Sequence, residues 1–90
     1  MTVEDVFVIR RRGIVATGRV ESGTLRVGDT VSVDGTLSAT VAAIEEFRKE
    51  RDEANVGDNI GLLLKGVEKG QIDRGSVLTA SGEFPALGNV

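Results

Sequence analysis

The sequence predicts an all-β protein: a small closed antiparallel β-barrel of six to seven strands. Three observations predict it. Short runs rich in Val, Ile and Thr recur along the chain, and these residue types suit a pleated, half-buried surface. The 12 glycines fall at intervals between the runs, as turns between short strands require. No stretch carries the apolar stripe that an amphipathic helix needs. At 90 residues the chain is long enough for one domain with one core. We assign the barrel to 1–80 and a frayed tail, "SGEFPALGNV", to the remainder.

Residues 3–10 read as the first strand. Val6, Phe7, Val8 and Ile9 are all apolar, so this strand is apolar on both faces. "IVATGRVE", 14–21, is the second, followed by a Ser-Gly turn. A Gly-Asp turn at 28–29 leads into a strand alternating Val31 and Val33 with polar partners. Asp34-Gly35 is a hairpin signal, because a type I′ turn needs positive φ. "TVAAIEEF", 40–47, is a further strand. A second Gly-Asp turn at 57–58 opens the mostly apolar strand within 55–66. Residues 67–75 read as a loop or one helical turn, and 76–80 as the last strand.

"EEFRKERDEA", 45–54, is rich in helix formers and has Glu45 and Lys49 at i,i+4. Phe47 stands almost alone as an apolar residue, so a helix here has nothing to bury. We expect the strand to run to about Arg48 and then an exposed turn. The unit Val-Gly-Asp occurs at 27–29 and 56–58, which reads as two similar turns rather than duplicated sites.

The composition excludes several chemistries. With no cysteine there are no disulfides, zinc thiolates or thiol nucleophiles, and with no histidine the usual general base is missing. No G-x-x-x-x-G-K-[ST] or G-x-G-x-x-G loop is present, and Lys65-Gly66 and Lys69-Gly70 have the wrong order for one. Glu4-Asp5 and Glu45-Glu46 are adjacent pairs, which a strand points to opposite faces. We therefore expect no enzyme activity and no cofactor. The longest wholly apolar runs are four residues and no signal-peptide core precedes them, so a soluble cytoplasmic protein without membrane contact is expected. A net charge of −3 implies that any contact with nucleic acid is small and local.

"VEDVFVIRRRGIVATGRVESGTLRVGDTVSV", "IEEFRK", "NVGDNIGLLLKGV" and "IDRGSVL", in this order, closely resemble the second domain of elongation factor Tu, a β-barrel shared by translational GTPases. The resemblance covers roughly residues 3–80. In that family the barrel holds the aminoacylated 3′ end of transfer RNA. The resemblance implies that Glu4, Asp5, Phe7, Thr17 and Asn59 lie near the aminoacyl group. It implies that Ile9, Glu45, Phe47, Arg48 and Leu63 surround the terminal adenosine, with Glu45 facing its ribose. Val6 and Val8 then point into the barrel, and Phe7 and Ile9 outward onto the pocket. Such chemistry is sound, since apolar and aromatic faces hold a splayed base and a carboxylate accepts from a 2′-hydroxyl.

The chain departs from the family at Arg11, where a Gly is usual, and at Glu46, where a Met is usual. The Arg10–Arg12 triplet falls where the family can approach ribosomal RNA, which makes Arg11 a candidate phosphate contact. The expected partners are the aminoacyl-tRNA 3′ end or ribosomal RNA, bound weakly by a lone monomeric barrel, and a GTPase domain in cis or in trans. Two readings stay open: an RNA 3′-end-binding module of translation, and a stand-alone scaffold barrel that binds protein and not RNA.

Overall fold

A computed structural model describes residues 1–80; the tail expected to fray lies outside the described residues. Nine strands follow one another: β1 (Thr2–Ile9), β2 (Gly13–Arg19), β3 (Thr24–Arg26), β4 (Thr30–Val33), β5 (Leu37–Glu46), β6 (Lys49–Arg51), β7 (Glu53–Asn55), β8 (Asn59–Lys65) and β9 (Leu78–Ala80). No helix occurs among the described residues.

Seven strands form one antiparallel sheet in the order β1-β2-β8-β5-β4-β9, with β6 added to β5. The sheet's ends meet. Thr2 bridges Val77, and backbone bonds join Val3 N–H to the Ser76 carbonyl and Leu78 N–H to the Met1 carbonyl, each at 2.8 Å. These bonds bring β1 beside the lead-in to β9 and curl the sheet into a barrel.

Period-two patterning sets what is inside. In β2, Ile14, Ala16 and Gly18 are buried between half-buried residues; in β8, Ile60, Leu62 and Leu64 are buried likewise. With Val3, Val31, Val33, Val41 and Ile44, the apolar members of these sets form a core that contains no aromatic ring among the described residues. The three-residue strands β3 and β7 pair with each other and turn Leu25 and Ala54 into the same core. These two and β6 are additions to the strands foreseen in the sequence.

The turn chemistry follows the residues. Asp34 and Gly35 both have positive φ, 52° and 76°, as a type I′ turn demands. The two Val-Gly-Asp units are indeed similar turns. Arg26 N–H donates to Asp29 Oδ2 at 2.8 Å, Asn55 N–H donates to Asp58 Oδ2 at 2.9 Å, and Gly28 and Gly57 supply φ of 98° and 94°. The 67–75 segment is a loop built on the same reciprocal pattern, with Gln71 and Ser76 in the aspartate's place.

Two expectations are corrected. Strand β5 ends at Glu46 rather than near Arg48, because Phe47 and Arg48 themselves form the β5–β6 turn. Val6 does pack against the core, but Val8 is 56% exposed. It keeps the inward alternation of Val6, yet beyond Val3 no described strand flanks β1 on its far side, so no described strand covers it.

Candidate nucleic-acid interface

The outer faces of β1, β2, β8 and β5 stack side chains in two cross-strand rows. One row runs Phe7, Val15, Leu63, Ala43. The next runs Thr17, Gly61, Glu45. Gly61 lacks a side chain, so a gap opens between Thr17 and Glu45. The result is two adjoining concavities that share Val15, Glu45 and Gly61. The inner one, about 110 Å³, is lined also by Ile9, Arg12, Ala43 and Leu63. The outer one, about 400 Å³ and open, is lined also by Glu4, Phe7, Thr17, Phe47, Arg48 and Asn59.

Nine of the ten residues singled out for the RNA 3′ end therefore border one continuous groove: Glu4, Phe7, Ile9, Thr17, Glu45, Phe47, Arg48, Asn59 and Leu63. Asp5 does not. A β-bulge between Val3 and Asp5 makes Glu4 the extra residue, and the Asp5 carboxylate pairs with Arg74 Nη2 at 2.8 Å.

The aromatics are distributed unusually. Neither Phe7 nor Phe47 enters the core; they are 52% and 88% exposed, and both border the groove. Phe47 and Arg48 also have φ of 52° and 67°, in a two-residue turn that favours Asn-Gly. Left-handed backbone costs roughly 1–2 kcal/mol for each such residue. Strain of this kind concentrates at binding sites. The turn is braced below by an ion pair between Glu46 and Arg51. Glu46 thus points away from the groove, as its strand neighbour Glu45 requires.

Arg11 is apart from the groove. It sits at the tip of the β1–β2 hairpin with φ of 67°. Arg10, Arg11, Arg12, Lys65 and Lys69 line a separate cleft with Val8, Ile14, Leu64 and Val67, and Lys65 Nζ donates to the Arg12 carbonyl. Arg12 and Ile9 belong to both this cleft and the inner concavity.

Sequence reasoning missed Gly61, Val15 and Ala43. The signal was available for Val15 and Ala43, which hold outward positions in their strands. Gly61 contributes an absence, which no residue-type rule reveals. Chemically, the groove offers apolar walls for a planar ring, a carboxylate acceptor at Glu45, an amide at Asn59 and cations at either end in Arg12 and Arg48.

The elongation factor Tu domain 2 family model matches residues 13–79. Among solved structures, the chain is similar to the apo form of translation elongation factor SelB from Methanococcus maripaludis. Identity is 35% and the TM-score 0.85, over 91% of this chain and 18% of that one. The chain thus spans about a fifth of the length of that factor. Matching in both sequence and structure, it belongs to the elongation factor Tu domain 2 family, as a β-barrel module of the translation-factor type.

Proposed function

We propose that the groove binds the aminoacylated 3′ end of transfer RNA, or a similar single-stranded RNA end, and that the module itself is non-catalytic. The observation that carries this reading is the placement of both described phenylalanines on the solvent face of one groove, while no aromatic ring enters the core among the described residues. An exposed aromatic beside a carboxylate suits a stacked base and its ribose. In this reading Ile9, Leu63 and Val15 form the floor under the terminal base. Phe47 and Arg48 close its outer wall, and Glu45 accepts from the 2′-hydroxyl. Glu4, Phe7, Thr17 and Asn59 face the aminoacyl group. Arg11, outside the groove, meets a phosphate of ribosomal RNA. A GTPase domain, in cis or in trans, supplies the rest of the grip, and the module works in the cytoplasm where translation proceeds.

A short aminoacylated CCA-ended RNA tests this. Binding is expected at ~10⁻⁴ M, since one or two bases stack at about 1–3 kcal/mol each. Glu45→Ala is expected to weaken the ribose ligand more than its 2′-deoxy counterpart. Chemical shifts that stay still around Glu45 and Asn59 during titration would sink the proposal and leave the scaffold reading standing.

A further inference from the structure

The groove wall at Phe47 and Arg48 has little of its own to stand on. Phe47 is 88% exposed, so packing does not hold it. Both residues carry left-handed φ values that neither residue type favours. Strand β6, which the turn feeds, is three residues long and pairs with β5 alone. Within that hairpin Glu45 stands directly opposite Glu50, and like charges so placed push two strands apart. Left to these preferences, the turn drifts away from the groove.

One side-chain bond opposes this. Ile44 of β5 pairs in register with Arg51 of β6, and Glu46, two residues further along β5, shares their face. Lys49 is the direct register partner of Glu46, yet the Glu46 carboxylate takes the Arg51 guanidinium instead, diagonally across the hairpin. Both side chains are half-buried, and Ile44 is fully buried. Among the described residues no other side-chain hydrogen bond or ion pair joins β5 to β6. The bond therefore clamps the base of a two-residue turn, with Phe47 and Arg48 at its tip. A Met at position 46, usual in the family, offers no such bond.

We propose that Glu46 and Arg51 are positioning residues for the RNA groove. Their ion pair fixes the Phe47-Arg48 wall, so RNA affinity depends on two side chains that touch no RNA. This inference rests on the groove reading given above and adds to it a control point on the opposite face of the hairpin.

Two measurements test it. On the free chain, ¹⁵N relaxation at Phe47 and Arg48 reports the wall directly. Arg51→Met is expected to lower their order parameters below about 0.6 or to broaden them by exchange, while β2 and β8 stay near ~0.85. In titration with the short aminoacylated CCA-ended RNA, Arg51→Met and Glu46→Gln are each expected to weaken binding about three- to tenfold. In a chain whose wall is already removed, by Phe47→Asn with Arg48→Gly, Arg51→Met is expected to change RNA affinity by less than about twofold. Relaxation at 47 and 48 that Arg51→Met leaves unchanged overturns the proposal. An equal loss of affinity with and without the wall also overturns it, because the pair then serves the barrel and not the groove. A parent chain that never binds the RNA removes the groove reading instead, and the relaxation data alone then decide whether the pair holds the wall.

Discussion

Gly61 of β8 and Glu45 of β5 are direct register partners, and the missing side chain at 61 is what lets the carboxylate at 45 border both concavities. A Cβ at Gly61 meets only Val15 Cγ1 at 3.4 Å and Thr17 Cγ2 at 3.9 Å, and its φ lies outside the left-handed region. Gly61→Val is therefore expected to fold normally while filling the groove. RNA affinity should fall about 10- to 100-fold, the worth of one stacked base. Calorimetric titration beside a thermal melt separates the two effects, and a variant that binds as before removes the groove from consideration.

The Phe47-Arg48 turn sets stability against binding. Replacing both residues, as Phe47→Asn with Arg48→Gly, gives the turn the residues its positive φ values favour. Stability should rise by roughly 0.5–2 kcal/mol in urea unfolding. RNA affinity should fall at least tenfold, roughly one stacking partner's worth. A gain in both would show that the strained turn serves no ligand.

Arg11 offers a second case. Arg11→Gly relieves its left-handed backbone and should stabilise the barrel by up to about 1 kcal/mol. If the side chain meets phosphate, the slope of log affinity against log salt should shrink by ~0.7–0.9 for ribosomal RNA fragments. An unchanged slope makes Arg11 a solvated hairpin tip.

Burial predicts a contrast between neighbouring functions. Leu62 is fully buried in the core, and Leu62→Ala should cost about 2–5 kcal/mol, a large share of the stability of so small a domain. Phe7→Ala removes a larger but exposed ring and should change stability far less, while weakening RNA binding. Chemical denaturation of both variants checks this. Equal destabilisation would mean that Phe7 is structural.

The strands were legible where side chains alternate and turns bear glycine, as in β2, β8 and the Asp34-Gly35 hairpin. The groove was legible largely through the resemblance, because outward positions such as Phe7 and Ile9 look like a second buried face when read alone. Other features were not legible, for identifiable reasons. Val8 has the period of a core residue, but its exposure depends on whether a distant segment flanks β1. Asp5 holds an outward position opposite Thr17, but its carboxylate is drawn to Arg74, a partner far away in sequence. Strands β3, β6 and β7 are three residues long, too short to show a period. The turn at Phe47-Arg48 contradicts local preference, which hid its position.

The bond between the Met1 amine and the Leu78 carbonyl spans 77 positions in sequence. The hairpins, by contrast, join near neighbours and form within microseconds. Bringing such distant ends together carries an entropic cost of about 4 kcal/mol before the contact returns anything. Ring closure is thus expected to come late in folding, after the local hairpins have formed. Until residues 75–78 arrive, the first residues of β1 share the open edge of the rest of that strand, so the barrel is expected to be most prone to association before its ring closes.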